Sequence, residues 1–463
     1  MHRSIVISGL GTVSALGVGA RSLWDGLVSG ASGIRPPTHI DLSGMECQLA
    51  AEISGDNGSE FSARDYVPKS YRKATKVMAR DIEIAVACAH TAAADAGLVT
   101  RAAEGAVMTY PGERIGCQIG AGLIAAETDE LAAALATAVV ENPDIAARAR
   151  GGFDYRAWGT IPTDGQKTGG MENLPPLWML KYLPNMLACH VTIIHGAEGP
   201  SNTHTCSEAS GLLSIGEGCR VIERGSADIC FSGSAESKLN LMGLLRVTAA
   251  HRLAKAPAGS SATDACRPYD PASTGSIPGE GGGIVIIEDA ALAKKRSASV
   301  YAEVAGFGAA HSTTNLFPPF KTEPRAINSG LVHAIRAALR DANVAPEGID
   351  AIFPQACGCP FIDVAEAGAL REVFGSRLPS IDIVPLVTIL GDCFAGNGGL
   401  QTAAAALCLK HQALPARRIR LSESPPVVQN APGPEGRKNV GYVLVCSTSV
   451  GGQNAALVLR RVQ

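Results

Sequence analysis

The chain has 463 residues, of which 46% are hydrophobic and only 18% charged, with 52 Gly and 27 Pro. That composition excludes bulk disorder and fits a large globular body with tight turns and extensive internal packing. Forty Lys plus Arg stand against 43 Asp plus Glu, a net charge of −3, so no global basic field recommends nucleic acid or an anionic membrane as a partner.

The opening Ile5-Val6-Ile7 reads as a strand, and it reaches Gly9 before any apolar run of signal-peptide length develops. Gly9-Leu10-Gly11 then imitates the start of a dinucleotide fingerprint, but no third Gly follows on spacing, so a tight turn is the expectation. An Ala-rich helix spans 77–96 and a strand 115–119. The Ala-rich stretch 119–140 is broken by Glu127, Asp129 and Glu130, which excludes a membrane span there. Polar, Gly-rich residues 151–172 read as a loop or lid. A helix at 207–224 and strands at 229–231 and 284–287 complete a first half, residues 1–295. The second half, residues 296–463, repeats the plan, with strands at 300–304, 352–353, 381–384, 442–446 and 456–459 and helices at 329–342, 364–374 and 398–410. Alternating β and α elements predict an α/β protein with mostly parallel sheets covered by helices. Thirteen Cys without a regular framework point to a reducing compartment, the cytoplasm.

Six segments carry a family resemblance: "IVISGLGTVSALGVGARSLWDGLVSGASGI", "NMLACHVTIIHGAEGPS", "ERGSADICFSGSAES", "CRPYDPASTGSIPGEGGGIVIIE", "DVAEAGALREVFG" and "GGQNAALVLR". In this order they resemble the β-ketoacyl-acyl-carrier-protein synthases, the condensing enzymes of fatty acid and polyketide synthesis. The resemblance implies a thiolase-like fold, two similar halves stacked α-β-α-β-α and normally paired as a dimer. It implies no cofactor.

Condensation needs a Cys thiolate at a helix N-terminus and two His donors for the enolate released by decarboxylation. Carried onto this sequence, the resemblance sets Glu208 at the nucleophile position, Gln355 and Asp392 at the two His positions, and Val387 at the Lys position. Val450 stands at the aromatic gate, and Val450, Cys206 and Phe394 border the acyl site. Four replacements on a retained frame resemble the chain length factors, non-condensing subunits that pair with an active ketosynthase, although those usually carry Gln where Glu208 stands.

Physically, Glu208 reads first as a helix cap and second as a general base. Cys206 is a rival nucleophile. Cys206, Cys357, Cys359 and Cys393 read as space-filling thiols before they read as a zinc site, and His190, His195 and His204 read as structural. Three functions follow: a non-condensing subunit shaping acyl chain length, an acyltransferase, decarboxylase or hydrolase using Cys206 or Glu208, and an acyl-binding scaffold homodimer. The implied partners are an active ketosynthase homologue or a second copy, and an acyl carrier protein.

Overall fold

The computed structural model describes residues 3–54, 60–136, 138, 158–159, 170–174, 177–313, 326–421, 428–430 and 439–462. Most of the loop read at 151–172 lies outside them. Five strands build the first half: β1 (Ile5–Ser14), β2 (Ile115–Ala121), β3 (Ser201–His204), β4 (Ile229–Ser237) and β5 (Glu280–Asp289). Five more build the second: β6 (Ala302–His311), β7 (Ala351–Phe353), β8 (Asp382–Ile383), β9 (Tyr442–Thr448) and β10 (Gln453–Arg460); among the described residues three short strands are added, Gly17–Val18 beside β1 and Arg417–Ile419 and Val428–Asn430 beyond β8. The spatial order is β1-β5-β4-β2-β3 in one half and β6-β10-β9-β7-β8 in the other, the same permutation twice. Pairing sense repeats too. First with fifth and fifth with fourth are antiparallel, while fourth with second and second with third are parallel. The two sheets join edge to edge where Ile5 lies opposite Val304 and Ile7 opposite Ala302.

The helices fill equivalent slots. α1 (Arg80–Asp95), α2 (Met186–His195) and α3 (Ser210–Glu223) follow the first, second and third strands of one half; α4 (Ser329–Asp341), α5 (Pro360–Phe374) and α6 (Asn397–His411) do so in the other. α6 is buried from Asn397 through Leu409, as suits a helix whose Ala, Gly and Leu residues surround its axis. Leu212, Ile215 and Ile222 of α3 share one core with Leu400 and Leu407 of α6 and with Val285 and Val445 of the two sheets. α1 and α2 cover the outer face of the first sheet, and α4 and α5 that of the second. The result is the α-β-α-β-α stack.

Two expectations change. The sheets are not mostly parallel: the fifth strand of each half runs antiparallel to both its neighbours, and β9 turns into β10 through residues 449–452, too few for a parallel crossover. Gly9 and Gly11 form no turn but lie inside β1, where α1 presses on the strand. A Cβ on Gly11 would sit 1.9 Å from the Cys88 carbonyl oxygen. The central helices also touch through glycine, since a Cβ on Gly211 would lie 2.9 Å from Gly398 Cα.

Candidate functional site

Three loops converge where α3 and α6 begin. The first is the turn Ser207–Ala209, which delivers Glu208 just ahead of α3. The second follows β7 and carries Gln355, and the third runs from Asp392 into α6. Each contains a non-glycine residue with positive φ: Ser207 at 51°, Ala356 at 42° and Phe394 at 51°. Such conformations cost free energy and persist where surrounding structure imposes them, commonly at functional sites.

Glu208 is 1% exposed and pairs with Arg252 Nη1, while Arg252 Nη2 lies 3.2 Å from Asp392 Oδ2. All three side chains are buried. Asp392 Oδ1 accepts from the Phe394 amide at 3.0 Å and from Asn397 Nδ2 at 2.8 Å. The Phe394 ring lies 5.2 Å from the Arg252 guanidinium carbon, adding a cation–π contact. Burial pushes the Glu208 carboxyl up, but the Arg252 charge beside it overrides this and holds it below the usual range. Asp392 goes the other way, because burial dominates, Arg252 compensates in part and the Glu208 charge adds to the rise. One guanidinium among two carboxylates thus holds Glu208 below its ordinary value, while Asp392 stays above its own.

The α3 N-cap is Ala209, whose side chain accepts nothing, and the Glu208 carboxylate turns to Arg252 instead of the α3 amides. The carboxylate is engaged by Arg252 and, at 3.4 Å, by the Val450 amide. Gln355 joins the cluster through Ser447, whose hydroxyl lies 2.7 Å from Gln355 Oε1 and 2.8 Å from the Glu208 carbonyl oxygen and donates to one or the other. Behind it, Glu366 accepts from the amides of Gln355 at 2.9 Å and Ala356 at 2.8 Å, fixing that loop. Val387 is buried beside Phe394 and Cys266, one shell from the ion triad.

The Cys359 thiol reaches the Arg252 carbonyl oxygen at 3.6 Å, and Cys393 points at the Leu390 carbonyl. Cys206 is half-buried, and burial pushes its thiol above the usual value, away from the thiolate a nucleophile needs. The three His near the site each have a neutral partner: His190 with the Tyr71 hydroxyl at 2.9 Å, His195 with Thr100 at 2.9 Å and His204 with Gln118 at 3.2 Å. Arg252 escapes a sequence reading, because nothing in "TAAHRLAKAP" separates a buried Arg from a surface one. Beside Ser207 opens a cavity of about 380 Å³ lined by Gly122, Leu123, Thr205, Glu236, Lys238 and Arg246.

Comparison with known proteins gives a consistent result. Residues 2–293 match the β-ketoacyl synthase N-terminal domain and residues 301–418 the β-ketoacyl synthase C-terminal domain. The chain is 25% identical over 463 residues to a 3-oxoacyl-[acyl-carrier-protein] synthase 2 of Staphylococcus aureus, covering all of this chain and 99% of that protein. It is 27% identical to the protein of the same name from Coxiella burnetii, covering 99% of each. Among solved structures, it superimposes along its full length on the ishigamide ketosynthase/chain length factor, with a TM-score of 0.74 at 24% identity. The full length also matches a type II PKS acyl-carrier protein in complex with its ketosynthase bound to the hexaketide, with a TM-score of 0.77 at 20% identity. In both structures each of the two chains is covered completely.

Proposed function

The chain belongs to the β-ketoacyl synthase family and has its thiolase-like fold, and from that premise we propose that it is a non-condensing subunit, dividing near residues 295 and 296. It pairs with an active ketosynthase and shapes the length of the acyl chain that the partner builds. The observation that carries this reading is the buried Arg252, Glu208 and Asp392 triad. On the family resemblance Glu208 occupies the nucleophile position, Gln355 and Asp392 the two His positions and Val387 the Lys position. A carboxylate paired to a guanidinium forms no thioester, and neither Gln355 nor a carboxyl bound to Arg252 supplies an imidazole for an enolate.

Pairing is supported by β3, an edge strand with Ser201 and Asn202 exposed, and by the exposed Leu123, Leu183, Leu241 and Leu245. Lys69, Arg72, Lys73 and Lys76 present an exposed basic strip to an acidic carrier protein. The cavity beside Ser207 is the part of the chain-measuring tunnel that this subunit contributes.

The test is co-expression with a homologous ketosynthase that carries an intact Cys-His-His set, followed by product analysis. The two chains should co-purify, and Leu123→Trp, which fills the cavity, should shorten the product. Product of unchanged length would remove the chain-length role. Intact mass of the isolated chain, after exposure to acyl-carrier thioesters, should show no adduct; an acyl group on Cys206 would establish the enzyme reading instead.

A further inference from the structure

A second cavity, about 190 Å³, lies on the other side of the loops that wall the first. Gly122 and Leu123 face the tunnel cavity, whereas Ile124, Ala125, Leu239 and Asn240 face this one. Its wall carries five carboxylates, those of Glu52, Glu60, Asp81, Glu127 and Glu280, against one guanidinium, that of Arg80.

Two of the acids are already committed. Glu52 accepts from Thr38 and His39, and Glu280 accepts from Ile53, Ser237 and both arms of Arg80. Asp81 differs. It is the second residue of α1 and 3% exposed, yet its Oδ1 has no hydrogen-bond partner. Buried acceptors are nearly always satisfied, and an orphan costs about 1–3 kcal/mol. Glu60 and Glu127 are exposed at the rim and add negative charge there.

We propose that this cavity is a binding site for a small organic cation, a primary alkylammonium, with Asp81 as its counter-ion. The ammonium sits beside the Asp81 carboxylate and adds positive charge to a wall of five acids, where the Lys238 charge offsets the burial of Asp81 only in part. Its alkyl body fits the apolar wall of Ile53, Ile124 and Leu239. A metal ion fits less well, because among the described residues no three His, Cys, Asp or Glu side chains group to hold one. Burial pushes the Asp81 carboxyl up to about 7 in the empty site, and a cation would bring it down. The inference is independent of the subunit role proposed above, since its test reads binding alone.

The test is isothermal titration calorimetry of the full chain with n-butylammonium, with 1-butanol as the neutral isostere. At about pH 8, where Asp81 is ionised, butylammonium should bind saturably and roughly tenfold more tightly than butanol. Asp81→Asn should abolish the preference. If that variant does not fold, Glu127→Gln at the rim should weaken butylammonium about threefold. Equal binding of amine and alcohol, no saturable heat with the amine, or an undiminished affinity in Asp81→Asn would each overturn the proposal. Displacement of the amine by Ca²⁺ would overturn the organic-cation class.

Discussion

Removing the Arg252 guanidinium strands two buried carboxylates. Arg252→Met should therefore cost about 3–5 kcal/mol, read as a lowered midpoint in chemical unfolding. The combined variant Arg252→Met, Glu208→Gln and Asp392→Asn removes all three charges and should recover most of that loss, whereas additive losses would show that the triad is not a unit. Asp81 makes a second prediction. Its carboxyl is raised from an ordinary 3.8 to about 7 in the folded chain, so the unfolded chain loses its proton first and native stability from this group falls as pH rises between those values. Asp81→Asn should raise Tm more at about pH 8 than at about pH 4, with the gain growing through that window. A pH-independent effect would mean that Asp81 is ionised throughout. The family resemblance picks out Glu208, Gln355 and Asp392, and the structure brings these three into one buried cluster. The sequence could not reveal Arg252 or Asp81, because burial of a lone charge depends on contacts from distant segments.

The elements were legible where their burial is uniform. α6 is rich in Ala, Gly and Leu around its axis, so a helix was legible there, while its central place came only with the fold. β3 was missed because Ser-Asn-Thr-His is polar, and it is polar because an edge strand keeps one side in solvent. Helix and sheet also meet closely at Gly399, where an added Cβ would lie 2.0 Å from the Gly283 carbonyl oxygen. Backbone cannot yield as a flexible side chain would. Gly399→Ala should destabilise by about 1–3 kcal/mol or more despite the better helix propensity of Ala, and a stability gain would disprove the close packing.

Across the whole molecule, the repeated strand order was visible in the sequence only as two similar successions of runs. The antiparallel fifth strand was not, since strand direction follows from connections and not from composition. An open edge at β3 and exposed Leu side chains predict association, and light scattering at micromolar concentration should give a dimer. A stable monomer would remove the support for pairing.

The ion triad joins the halves, for Glu208 and Arg252 come from the segments of β1 to β5 and Asp392 from those of β6 to β10. Exchanging Arg252 alone leaves Glu208 and Asp392 without their shared cation in a dry interior, whereas exchanging either acid alone leaves Arg252 with the other. Positions 208, 252 and 392 are therefore coupled in energy across the two halves. Two halves that look like independent copies are thus tied through one guanidinium, and a hybrid joining one half of this chain to the other half of a relative with a neutral residue at 392 would begin life with Arg252 held by Glu208 alone.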